Sequence, residues 1–176
     1  MNLSVESINQ ATKLLQDFEN NFKKGISNSI KAATEAMYDK VVAYCYLNGI
    51  GNHVEDIHWE YDENTNTGRV WTKDNVIIFN EMGTGVVGSN NPHPSPTGPF
   101  KSWKYDVKSH GEKGWWYPTV ASDPNPIKWI DKDGQLRAWT KGLPSRHMFY
   151  SAFEDIKEGL GDYVEVELRK TIGNMY

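Results

Sequence analysis

Cysteine is almost missing from this chain: Cys45 stands alone, so no internal disulfide holds the fold. Its place in an apolar helical stripe reads as a buried, inert thiol, not a nucleophile. Long hydrophobic runs are missing as well. No stretch approaches the ~18 consecutive apolar residues of a membrane span, and Met1 to Gln10 lacks the basic start and apolar run of a secretion signal. The expectation is a soluble protein made in the cytoplasm, with no membrane partner. Excess positive charge is the third absence. Nineteen Lys and Arg stand against 23 Asp and Glu, a formal net charge of -4, and the basic residues are scattered. That pattern excludes the electrostatic footprint of a specific nucleic-acid binder. What is present is 176 residues, which fits a single domain spanning 1–176 and suffices for a core without metals or disulfides.

The first region, 1–48, reads as one long helix. Ile8, Ala11, Leu15, Phe18, Phe22, Ile26, Ile30, Ala33, Met37, Val41 and Tyr44 recur every three or four residues, the spacing of one helical face. Ser4 and Ser7 offer a start and Asn48-Gly49 a stop. Such a helix is about 65 Å long, whereas a compact domain of this size is only about 40 Å across. Either the helix bends near Gly25, Ser27 and Ser29, or its overhanging half packs against other chains. The preserved phase across Gly25 favours continuity.

Residues 53–82 read as antiparallel strands. Val54, Ile57, Trp59 and Tyr61 precede a polar turn, Asp62 to Gly68; Arg69 to Thr72 then leads through Lys73-Asp74-Asn75 to the β-branched and aromatic run Val76 to Phe79. Region 83–142 is a long Gly/Pro/Trp-rich loop with short hairpins. Its first part, Gly83 to Gly114, is rich in glycine and proline and loses regular patterning, yet Trp103, Tyr105, Trp115, Trp116, Tyr117, Trp129 and Trp139 lie in it or just after it. Each buried aromatic contributes roughly 1.5–3 kcal/mol, so this is no solvated linker. The expected hairpins pair Trp103–Val107 with Trp115–Pro118 and Lys128–Ile130 with Leu136–Trp139, the latter through the turn Asp131 to Gly134. Region 143–172 reads as a C-terminal helix, with Pro144 in its first turn and Phe149, Ala152, Phe153, Ile156, Leu160, Tyr163 and Val164 on one face. Gly159 and Gly161 weaken it, and Val164, Val166 and Leu168 also alternate as in a strand. The fold class is therefore α+β: a long helix, a central antiparallel sheet of hairpins, and a C-terminal helix packed on the sheet.

The chemical motifs are weak. Gly83-Thr84-Gly85-Val86-Val87-Gly88 matches a dinucleotide fingerprint, but the chemistry needs a following helix, and Ser89 to Pro96, with three prolines, cannot supply one. The glycines better serve a sharp exit from a strand. His53 and His58 are five apart, which on a strand points them to opposite faces, and they match no zinc spacing. His93 and His147 read as structural or exposed, and His110 as a turn residue. Glu81 is the best acid/base candidate, although capping exposed amides of the glycine turn suits it better. No cofactor, metal or small-molecule substrate is expected.

Taken together, Phe79-Asn80-Glu81-Met82-Gly83-Thr84-Gly85, Asn91-Pro92-His93-Pro94, Gly111-Glu112-Lys113-Gly114-Trp115-Trp116-Tyr117 and Trp139-Thr140-Lys141-Gly142-Leu143-Pro144-Ser145-Arg146 resemble, in the same order, the tail-completion or neck family of long-tailed bacteriophages. Family members often follow the serine and arginine with proline and phenylalanine; here His147 and Met148 stand instead. The resemblance implies a non-enzymatic virion protein of the head-to-tail joining region, assembled in the host cytoplasm as a ring, normally a hexamer, beside other neck and tail proteins. Under that reading the assembly contacts are Phe22 and Ile26 on the first helix, Glu81, Gly83 and Gly85, then Trp103, Trp115, Trp116 and Tyr117, with Arg146 and Phe149 anchoring the last helix. A heterologous ring contact would cover both the overhanging helix and the aromatic loop. The alternative is a glycan- or receptor-binding module that uses the tryptophans.

Overall fold

The computed structural model describes residues 5–106, 113–123 and 125–173; Ser4, Val107, His110, Gly111 and Glu112, used above, lie outside them. The fold is mixed α and β, with a long first helix, small antiparallel sheets and helices at the C-terminal end. Helix α1 runs unbroken from Val5 to Leu47, so the helix does not break at Gly25. A 3-10 turn, Gly51–Asp56, leads into the hairpin β1 (Ile57–Asp62) and β2 (Thr67–Thr72). Then follow α2 (Asn75–Met82), α3 (Gly85–Asn90), a second 3-10 turn (Gly98–Ser102), the strands β3 (Trp115–Pro118), β4 (Lys128–Ile130) and β5 (Leu136–Thr140), and helices α4 (Met148–Glu158) and α5 (Leu160–Ile172). Contacts divide the chain into two compact units. One holds α1 as far as Ala43, Ile57–Trp71 and the chain from Ser151; the other holds Tyr44–Asp56 and Thr72–Tyr150.

In the first unit small residues decide the packing of α1. Ala33 and Val41 of the expected stripe are buried along it, together with Gly25 and Ser29, whereas Ile26, Ile30 and Met37 are only half-buried. Gly25 shows why small residues lie deepest. A Cβ there would meet the Leu168 and Thr171 side chains at 2.7 Å, so the glycine is the site of close helix approach and not a hinge. The Ser29 hydroxyl bonds back to the Gly25 carbonyl at 2.7 Å. The hairpin is fixed on the same helix: Gly68 sits on Thr34, and the hydroxyls of Tyr61 and Ser27 are hydrogen-bonded. Lys40 pairs with Asp155 at 2.9 Å, and the C-terminal helices pack against the sheet region. The single C-terminal helix expected from residue 143 is two helices. The first begins at Met148, beyond Pro144, and Gly159 (φ -89°, ψ 4°) separates them, in keeping with the weak helix propensity of glycine.

The second unit corrects the strand reading of Val76–Phe79, which is helix α2. The side chain of Asp74 caps it, Oδ1 accepting from Ile77 N at 2.9 Å, and Ile77 is fully buried. A cap and a buried face outweigh β-propensity. The loop from Gly83 is not structureless either, since α3 begins two residues later and ends at Asn90, with Asn91 as its cap before Pro92. Hence the glycine run leaves a helix, not a strand, and its second half, from Gly85, is itself the short helix α3, with no helix over 91–96. Trp115–Pro118 pairs not with Trp103–Val107 but with β5, in a three-stranded sheet of order β3-β5-β4. The hairpin of Lys128–Ile130 with Leu136 onward forms as expected, Lys128 facing Ala138 and Ile130 facing Leu136. Its turn is closed by Gly134 N donating to Asp131 O at 3.0 Å.

Candidate functional site

The motif residues gather inside the second unit around Glu81, whose exposure is 8%. Its carboxylate accepts three hydrogen bonds: from Phe149 N at 2.9 Å, Tyr150 N at 3.0 Å and His93 Nε2 at 3.0 Å. The first two amides belong to the opening turn of α4, where a helix has donors without partners and a positive dipole end. Glu81 is thus a helix cap as well as a pairing partner, and the amides it caps are those of α4 and not those of the glycine turn. His93 Nδ1 accepts from Ser95 N at 3.1 Å, which leaves Nε2 as the ring atom that faces Glu81. The Ser145 hydroxyl donates to the Glu81 carbonyl, and Arg146 N to the Asn80 carbonyl at 2.7 Å. Carboxylate, imidazole and hydroxyl are therefore close together but each is committed. Among the described residues the imidazole is hydrogen-bonded to Glu81 and to Ser95 N, and the three groups hold distant stretches of the unit together as a lock.

Around the lock, backbone meets backbone. Thr84 and Leu143 exchange hydrogen bonds, N to O at 2.9 Å and 3.1 Å; Gly85 N donates to Tyr105 O at 2.6 Å and Val87 N to Lys141 O at 3.3 Å. Two amides of the α3 start are so consumed, which takes them from any phosphate. Gly142 has φ 109°, and a Cβ there would lie 1.9 Å from the Thr84 carbonyl oxygen. Trp103 Nε1 donates to Gly83 O at 2.9 Å. His147 and Met148 fit here: Met148 is fully buried with its sulfur 3.8 Å from Cys45 Sγ, and His147 takes a positive φ of 54°. Burial, then repulsion by His93, hold the His147 imidazole below its ordinary value, against the pull of Glu81. Desolvation, followed by the charge of Glu81, pushes the Cys45 thiol up to about 11, so it is inert at neutral pH.

Of the residues expected at an assembly surface, Glu81, Gly83 and Gly85 are buried, and Ile26, Trp103, Trp115, Tyr117 and Phe149 are half-buried. Tyr117 is tied to Asp123 by its hydroxyl at 2.8 Å. Only Phe22, Trp116 and Arg146 are exposed, and Arg146 bonds to Asn48 Oδ1 at 3.2 Å. Among the described residues, large apolar side chains stand open on α1 and on the three-stranded sheet. On α1, Leu14, Leu15, Phe18 and Phe22 are 63%, 70%, 46% and 42% exposed, with the two phenyl rings 6.3 Å apart. Ile8, Ala11, Leu15, Phe18 and Phe22 alternate steps of three and four, the seam of a coiled coil. On the three-stranded sheet, register places Trp116, Trp139, Arg137 and Trp129 on one face. Trp116 and Trp129 are exposed and meet edge to face at 6.0 Å, and Lys141 Nζ lies 5.9 Å from the Trp139 ring. Trp129 was missed in the sequence because its place beside Trp116 depends on non-local pairing.

No protein-family model, no curated protein and no solved structure matches this chain. Among the described residues no helix is long and apolar enough to cross a membrane.

Proposed function

We propose that this chain is a structural, non-catalytic subunit of a tailed-phage virion: a tail-completion or neck protein that joins head to tail as a closed ring of identical copies. The observation that carries the reading is the exposed apolar seam on the first half of α1, Ile8 to Phe22. Single exposed leucines need no explanation, but a run of four large side chains at coiled-coil spacing marks an interaction surface. The exposed tryptophan face of the sheet is a second such surface, and two different patches per copy suit a heterologous contact that closes into a ring. An acidic chain suits a lumen through which DNA passes without adhering. The ordered motifs support the family resemblance in a further way: Glu81, Gly83, Gly85, His93, Gly142 and Ser145, drawn from three of them, interlock within one unit.

The glycan-binding alternative draws on Trp116 and Trp129, but these rings stand at 69° to one another and make no flat shelf for a sugar. Particles lacking the protein are expected to accumulate as separate filled heads and finished tails in electron micrographs; joined particles in its absence would refute the role. Phe18→Ser with Phe22→Ser is expected to abolish assembly and complementation while leaving thermal stability within about 0.5 kcal/mol, as for exposed positions generally. A double variant that assembles normally would remove α1 from the contact.

A further inference from the structure

We propose that His53, Asp56 and Asp74 form a binding site for one divalent cation of the zinc class, a site separate from the assembly surfaces. In the 3-10 turn Gly51–Asp56 three residues make one turn, so side chains three apart eclipse, and His53 and Asp56 rise on the same side. Asp74 reaches them from the start of α2 with its carboxylate divided: Oδ1 caps Ile77 N at 2.9 Å, and Oδ2 lies 3.0 Å from His53 Nδ1. One donor atom from each of the three residues lies within 4.8 Å of the other two.

A four-coordinate zinc ion with bonds of about 2.0–2.1 Å holds its ligand atoms roughly 3.3 Å apart. The edge between His53 and Asp74 already has close to that length. Asp56 alone must swing inward, and it is free to do so, being exposed and without a hydrogen bond or ion pair among the described residues. Two carboxylates and a neutral imidazole match the charge of a dication. The exposed position of Asp56 leaves room for a water as fourth ligand. One imidazole with two carboxylate oxygens suits zinc or cobalt better than calcium or magnesium, which prefer oxygen alone, or copper(I), which prefers sulfur. Comparing His53 with His58 in the sequence hides this site: His58 packs on Trp71 at 4.7 Å, and the partners of His53 are instead two aspartates.

The test is calorimetric titration of the chelator-stripped full-length chain with Zn2+, and visible spectroscopy with Co2+ as a reporter of coordination. The site predicts one saturable cation per chain and cobalt bands of four-coordinate intensity. His53→Ala should abolish binding. Asp56→Asn should weaken it by at least the 10–100-fold that even outer-shell partners contribute, with unchanged circular dichroism. Absence of saturable binding, or binding that survives unweakened in both variants, overturns the proposal. Should His53→Ala fail to fold, Asp56→Asn decides the matter alone, since Asp56 holds nothing else together.

Discussion

Replacing Glu81 by alanine is expected to destabilise the protein by about 3–5 kcal/mol, the cost of removing one partner from a buried charged network. Three donors lose their acceptor at once: the amides of Phe149 and Tyr150 and the imidazole of His93. Each buried donor left unsatisfied costs roughly 1–3 kcal/mol, so the loss of the helix cap alone accounts for much of the effect. Glu81→Gln keeps one acceptor oxygen but turns an amide toward the donors, and an intermediate loss follows. Urea unfolding of both variants is the measurement. Were Glu81 a general base held in a site, Glu81→Gln would leave stability nearly intact; that outcome would contradict the structural lock.

Gly142→Ala is expected to yield no folded protein, a loss beyond about 4 kcal/mol. Two causes act together. The residue adopts φ 109°, and its Cβ would fall 1.9 Å from Thr84 O and 2.5 Å from Thr84 C, atoms fixed by the reciprocal hydrogen bonds between Thr84 and Leu143. Gly134 provides the control. It too has a positive φ, 77°, but nothing lies within 4 Å of its Cβ, so Gly134→Ala carries only the conformational cost of about 1–2 kcal/mol. Expression and circular dichroism of the pair separate steric exclusion from backbone strain. Equal stability of the two variants would show that the backbones of 83–85 and 141–143 are not held together as described.

The elements legible in the sequence are those whose signals are local. Apolar spacing from Ile8 to Tyr44 gives α1, and the turns at Asp62 and Asp131 give two hairpins. The choice of helix over strand around Val164 and Leu168 was also legible, because the preceding residues hold helical spacing through Ile156. Val76 to Phe79 misleads because β-branched residues favour a strand locally, whereas the Asp74 cap and the burial of Ile77 act through the tertiary structure. The partner of β3 was hidden for the same reason: Trp115–Pro118 joins β5, with β4 intervening in the chain, and no sequence window spans that pairing.

The candidate surface was legible only in part. Glu81, Gly83 and Gly85 stand out as unusual residue types, yet their peculiarity serves an internal lock and not an outer contact. Exposure does not follow from residue type: Phe18 and Leu15 lie on the same apolar stripe as Ala33 and Val41, and only the fold shows which half is covered. Gly25 is the instructive case. A bend there is one of two readings of the sequence, with the preserved phase favouring continuity; the helix is continuous, and the space that the missing side chain leaves is filled by Leu168 and Thr171.

The mass of the purified chain in solution, followed by light scattering over a wide range of concentration, probes the proposed assembly most directly. A closed ring predicts an integer multiple of 20.1 kDa, with the hexamer expected, that collapses to the single-chain mass in the Phe18→Ser, Phe22→Ser variant. A wild-type protein that stays at the mass of one chain at every concentration, with the seam from Ile8 to Phe22 still open to solvent, would contradict it.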